Sequence, residues 1–191
     1  MSLKVGILGG SFDPPHMGHL WLAIQAQEQF NLDWVYFLPC NDKAAKGWKK
    51  NVTSPEEHRL EMCRWAAAGH PTIGALSLEI DMGFEFTHQS IEHLLASTDW
   101  DILWFVGSDW DASSFKNYDN IKDHVTFIKV LRPPQTELDV EDELPFIQPI
   151  SFNLSSSIIR ARLRNRKTTE GLIPPLVHKF IEHEGVYRCK E

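Results

Sequence analysis

Cysteine is scarce in this 191-residue chain: Cys40, Cys63 and Cys189 are odd in number, widely spaced and outside any CxxC or Cys/His pattern. That excludes a disulfide framework or zinc finger and leaves reduced thiols. Basic charge is also short. Nineteen Lys and Arg face 26 Asp and Glu, for a net charge of −7, the wrong sign for the broad cationic footprint that holds a nucleic acid polymer. No run approaches the roughly 18 apolar residues of a membrane span. The apolar stretch in MSLKVGILGG is too short for a signal sequence and is broken at once by glycines. The expected address is therefore the cytoplasm, with neither membrane nor polynucleotide as partner.

Two phosphate-binding signatures are missing as well. No Gly-Lys-Ser/Thr follows the first glycines, so there is no P-loop, and no GxGxxG marks a dinucleotide fold. What is present is alternation. Strand-like runs at 4–8, 34–39, 74–80, 101–107 and 124–131 alternate with helical patterns at 19–30, 54–67 and 87–97. This order predicts an α/β, Rossmann-like doubly wound, mainly parallel sheet with helices on both faces. Ligands of such sheets bind at the carboxyl ends of the strands, near the point where the strand order reverses. The 42% hydrophobic content supports one core. No repeat or linker divides the chain, so a single domain is expected over 1–191. Ser54, Pro55 and Glu57 form the pattern of a capping box with proline at the first helical position. The acidic, proline-bounded stretch 133–145 is expected to be a solvated connection.

The chemistry concentrates in GGSFDPPHMGH, residues 9–19, between the first strand and the first helix. Gly9 and Gly10 lack Cβ atoms and let an anion approach the backbone. Pro14 and Pro15 stiffen the turn, and the helix beyond offers free N–H groups and a positive dipole end. His16 and His19, three apart, share one helix face. An imidazole near its free pKa of about 6.5 protonates readily beside polyphosphate and then donates two hydrogen bonds. Zinc is the rival for a His-x-x-His pair, but no third ligand is evident nearby. Spacing alone leaves open both a phosphate cradle and a turn whose histidines merely cap and pack.

This segment resembles the GxFDPxHxGH signature of the nucleotidylyltransferase superfamily, and specifically its form in nicotinate mononucleotide adenylyltransferases. LSSSIIR, residues 154–160, is similar to the superfamily's ISSTxIR motif. The likeness extends over FLPCNDKAAK (37–46), SPEEHRLEM (54–62), GFEFTHQSIEHL (83–94), FVGSDW (105–110), FKNYDNI (115–121), LRPP (131–134) and IPPLVHKFIEHEGVY (173–187). It departs where Ala44 and Ala45 replace a Pro-His pair and Phe115 replaces a tryptophan, both on the acceptor side.

The resemblance implies adenylyl transfer from ATP to nicotinate mononucleotide, giving deamido-NAD and pyrophosphate. By the same resemblance His16 and His19 are the catalytic pair. Gly9, Gly10, Ser11, Phe12, Gly18, Lys46, Gly107, Asp109, Ser155, Ser156, Ser157 and Arg160 fall on the ATP side, with Arg160 and the serine hydroxyls gripping phosphate. Thr87, Phe115 and Arg132 fall on the acceptor side. Mg²⁺ is implied as a companion of ATP, with no protein metal site, and a homo-oligomer is compatible. The alternatives are another acceptor, such as nicotinamide mononucleotide or phosphopantetheine, and a nucleotide-binding sensor without turnover.

Overall fold

A computed structural model describes residues 2–47, 52–112, 115–131, 144–149 and 154–187. Six parallel strands form one sheet in the order β3-β2-β1-β4-β5-β6. They are β1 (Lys4–Gly10), β2 (Trp34–Pro39), β3 (Ile73–Ala75), β4 (Asp101–Gly107), β5 (Thr126–Val130) and β6 (Phe146–Ile147). The chain winds outward from β1 to β3, then returns to place β4 on the other side of β1. That reversal makes the switch point lie between β1 and β4, which pair from Lys4 with Asp101 to Leu8 with Phe105.

The helices are α1 (Met17–Phe30), α2 (Asp42–Gly47), α3 (Glu56–Ala67), α4 (Leu78–Met82), α5 (Thr87–Ser97), α6 (Tyr118–Ile121), α7 (Ser156–Arg164) and α8 (Pro175–Glu184). Both sheet faces are covered, which explains the nearly unbroken apolar strands. Leu8, Val35, Phe37, Leu103, Phe105, Ile128 and Val130 join Ala23, Met62, Ile159 and Val177 in one core. Their strand neighbours Val5, Ile7, Ile102, Trp104, Val106 and Phe127 join Ile91 and Ile121 on the opposite face. Gly6 must be small: a Cβ there would come within 2.7 Å of Leu32 Cδ1 and 3.1 Å of a Phe105 ring carbon.

Two local expectations are corrected. Residues 74–80 are not one strand, because β3 stops at Ala75 and α4 begins at Leu78; the short strand lies at the sheet's edge, where only β2 supports it. Ser54 does not cap α3. The N-cap is Pro55, with no side-chain cap bond, and Ser54 is drawn inward, 3% exposed, its backbone N–H donating to Asp13.

Candidate active site

A cavity of about 450 Å³ opens at the carboxyl ends of β1 and β4 and brings together Gly9, Gly10, Gly107, Asp109, Thr87 and Phe115. A second, of about 370 Å³, shares Thr87, Trp110 and Phe115 with it and is also lined by Phe86, His88 and Lys116. Asp109 folds back over the end of β4. A Cβ on Gly107 would meet its Oδ1 at 2.6 Å, so a larger residue there would make the carboxylate turn aside.

The turn after β1 fixes its histidines in a particular way. Phe12 sits in the left-handed region at φ 47°, which a non-glycine residue adopts only where its surroundings demand it. His16, 7% exposed, is the N-cap of α1. Its backbone N–H donates to His19 Nδ1 at 3.1 Å, so Nδ1 acts as the acceptor. The two rings stack with centroids 3.7 Å apart, and the edge of Phe12 meets His19 at 4.9 Å. A cap bond thus engages His19 Nδ1, and the stacked rings fix the orientation of the imidazole.

Behind the turn lies a charged frame that sequence reasoning did not assign. Asp13, 1% exposed, accepts from the Thr53 backbone N–H at 2.6 Å, Thr53 Oγ1 at 3.1 Å, the Ser54 N–H at 3.2 Å and the Tyr187 hydroxyl at 2.6 Å. Arg59 is fully buried and donates to the carbonyls of Ser11 at 2.8 Å and Cys40 at 2.6 Å and to Asp42 Oδ1 at 3.0 Å. It ties the turn to the end of β2. A signal for Arg59 existed. It stands three and four residues before Met62 and Cys63, on the helix face that also buries Leu60 and Ala66, and a cation there must be paired.

Arg160 belongs to the same frame. It is 4% exposed, and its guanidinium donates to the Asp13 carbonyl at 2.6 Å and to Ser157 Oγ at 3.2 Å, with Asp13 Oδ2 at 3.7 Å. Two of its nitrogens are thus engaged, one by the turn and one by the serine run. The serine run is likewise engaged: Ser155 Oγ accepts from the Ile158 N–H, and Ser156 Oγ donates to the Pro14 carbonyl at 2.8 Å. Ser155 is the N-cap of α7, and the Ser156 bond holds that helix start against the turn that opens α1, 142 residues away in sequence. Two helix N-termini thus stand side by side. Lys46 is exposed in the last turn of α2 and lines neither cavity; nor do Ser11, Phe12, Gly18 or the two histidines. Arg132 lies outside the described residues.

Two groups in or beside this frame carry a pH signature. Burial pushes the Cys63 thiol well above its ordinary 9.0, against a smaller opposing pull from Arg59. Burial, then the Asp13 carboxylate, raises the Tyr187 phenol far above 10.0. Both stay protonated in the folded chain, whereas the unfolded chain releases these protons above the ordinary values. Their contribution to stability is therefore complete below about pH 9 and lost as pH rises. The melting temperature should fall between about pH 9 and 11, and the double variant Cys63→Ala, Tyr187→Phe should show a shallower fall. Equal slopes for the two proteins would refute this coupling.

Similarity to known proteins converges on the same region. The cytidylyltransferase-like family model matches residues 7–162. Nicotinate-nucleotide adenylyltransferase of Bacillus subtilis (strain 168) is 34% identical over 191 residues, covering 96% of this chain and 98% of that protein. A protein of Geobacillus kaustophilus named probable nicotinate-nucleotide adenylyltransferase is 35% identical, covering 98% of this chain and 87% of its own. Among solved structures, Plasmodium falciparum nicotinic acid mononucleotide adenylyltransferase complexed with NaAD matches with a TM-score of 0.74, at 18% identity and 97% coverage of both chains, a likeness of fold.

Proposed function

Because the chain belongs to the cytidylyltransferase-like family and, within it, to the nicotinate-nucleotide adenylyltransferases, it transfers the adenylyl group of ATP to nicotinate mononucleotide in NAD biosynthesis, and we propose how its own residues do so. The acceptor's phosphate oxygen attacks the α-phosphorus of ATP in line. The bond from that phosphorus to the bridging oxygen breaks, its electron pair leaves with pyrophosphate, and deamido-NAD remains. A phosphate monoester with a second pKa of about 6 is already mostly a dianion at neutral pH, so the nucleophile needs no base. Catalysis is positioning and charge stabilisation.

The observation that carries this reading is the bond from Ser156 to the Pro14 carbonyl. It sets the positive ends of α1 and α7 next to one another, a cradle suited to a triphosphate. His19 supplies its oriented Nε2–H to the transferring phosphates, with His16 stacked beside it. Backbone amides at Ser156 and Ser157 hold the β- and γ-phosphates, and the Ser157 hydroxyl still has a proton to donate after accepting from Arg160. Arg160 therefore acts by holding Asp13 and the turn. Gly9, Gly10, Ser11, Phe12 and Gly18 give the nucleotide a close backbone approach, Gly107 and Asp109 receive its ribose, and Lys46 reaches toward phosphate from α2. On the acceptor side Phe115 offers an aromatic face to the pyridine ring, with stacking on the order of 1 kcal/mol, and Thr87 opens α5 toward it. Arg132 completes that side.

Among the described residues no group of three or more His, Cys, Asp or Glu is arranged to hold a metal. We assign Mg²⁺ to the substrate, as the complex with ATP, its oxygen ligands coming from the triphosphate and water. Among the described residues no helix is long and apolar enough to cross a membrane. A cytoplasmic address, a single domain over 1–191 and self-association into a homo-oligomer belong to the same proposal.

Pyrophosphate release from ATP with a panel of acceptors tests it. Nicotinate mononucleotide is expected to give a dinucleotide. Turnover with phosphopantetheine or nicotinamide mononucleotide but not with nicotinate mononucleotide would reassign the acceptor. ATP binding with no pyrophosphate from any acceptor would make the chain a sensor.

A further inference from the structure

We propose that Lys116 reads the pyridine carboxylate of the acceptor, so that this residue sets the preference for the acid over the amide; the inference rests on the acceptor reading above. The two contiguous cavities differ in charge. Among the described residues, the first is lined by the carboxylates of Glu79, Glu85, Asp109 and Asp111 and by no lysine or arginine. Glu85 pairs at 3.4 Å with exposed Lys43, and Glu79 accepts from the Ser90 hydroxyl at 3.0 Å. Among the described residues, the second has no acidic side chain in its lining and one ammonium group, that of Lys116.

A ligand with a carboxylate on one edge of its ring is repelled by the first lining and attracted to the second. The passage between them is aromatic: Trp110 and Phe115 line both cavities, with ring centroids 5.7 Å apart. A pyridine ring held there can present its carboxylate to the second cavity.

Lys116 is already placed for such a contact. Its Nζ stands 4.3 Å from the centroid of the Phe86 ring, where the ring's quadrupole favours a cation. Phe86 is the N-cap of α5, so the lysine is parked beside the positive end of that helix. The helix start alone would be weak grounds for an anion site. A second feature points the same way: His88, 7% exposed, lines this cavity, and its Nδ1 has no hydrogen-bond partner among the described residues. A buried polar atom without a partner is costly in a folded chain, and a ligand group in the cavity would supply one. The ammonium can give a charge-assisted hydrogen bond to the carboxylate, while a carboxamide would have only a neutral oxygen to offer.

Nicotinate and nicotinamide mononucleotides share ring, ribose and phosphate, so the ratio of their kcat/KM values isolates the carboxylate. With the full-length protein, Lys116→Met should reduce the ratio of acid to amide at least about tenfold, the scale of one charge-assisted hydrogen bond. Lys116→Glu should lower it further, and Lys116→Arg should keep it within about threefold of the wild type, because the charge and donors survive. A ratio that stays within about twofold of the wild type in both the Met and Glu variants overturns the proposal. So does an equal loss with both acceptors, which would put Lys116 on the shared phosphate or in a purely structural role. Failure of the underlying acceptor reading looks different: there the wild-type chain itself makes no dinucleotide from nicotinate mononucleotide.

Discussion

His19→Ala is expected to lower turnover at least about 10²-fold in a chain that still folds, the scale of removing one preorganised donor from a transition state. His19 Nδ1 already accepts the His16 backbone N–H at 3.1 Å, while the His16 and Phe12 rings hold the imidazole on two sides. The proposed role falls to Nε2, on a ring held in place before the reaction begins. The structural penalty is small by comparison, because one lost helix cap costs about 1 kcal/mol. His19→Asn separates the two roles: a short amide can still accept from the N-cap but cannot extend a donor as far as Nε2. Both variants should therefore melt near the wild type, with the Asn variant closer, and both should lose most pyrophosphate release at saturating ATP. A folded His19→Ala protein with near-normal kcat would remove His19 from the mechanism.

Asp13→Ala should be the most damaging change to stability. Four donors from Thr53, Ser54 and Tyr187 converge on this carboxylate, and the Arg160 guanidinium lies 3.7 Å away, 4% exposed. Removing the acceptor strands an arginine and several N–H and O–H groups in the interior. Breaking a buried ion pair from one side costs about 3–5 kcal/mol, which at about 2–4 °C per kcal/mol for a chain of this size lowers the melting temperature by roughly 10 °C. An exposed pair such as Lys43 with Glu85 contributes about 0–1 kcal/mol, so Lys43→Ala is the control. Asp13→Asn keeps the shape but turns an NH₂ group toward one of these donors, and it should also destabilise. A melt of Asp13→Ala within about 3 °C of the wild type would mean that the frame carries little of the stability. Turnover should fall alongside, since Asp13 holds the loop that leads to His16.

The value of Asp13 and the burial of Arg160 have one origin. In LSSSIIR the arginine is the fifth residue of α7, and nothing local says which way its guanidinium turns. Only the fold reveals that the position faces inward, onto the carbonyl of Asp13. Ser54 is a parallel case: its capping pattern is sound as local chemistry, but the Asp13 carboxylate takes its N–H and the cap passes to Pro55. Lys116 drew no notice in the sequence because a lysine beside a phenylalanine is unremarkable until that residue shares a cavity wall with Phe86 and His88.

Elements whose burial is uniform were legible from the first. DILWFVG and WVYFLP coincide with β4 and β2, and THQSIEHLLAS with α5, because runs buried on both faces or a single apolar stripe leave a periodic trace. The sequence by itself determined the doubly wound α/β class and the glycine-rich turn after β1, since each follows from backbone freedom or side-chain period within a few residues. Tertiary structure alone decided which polar groups spend their hydrogen bonds inside. The partners of Asp13 lie 40 to 174 residues away, and no local pattern encodes a pairing over that separation. It also decided the charge of the two cavities, which are assembled from side chains contributed by separate loops and strand ends.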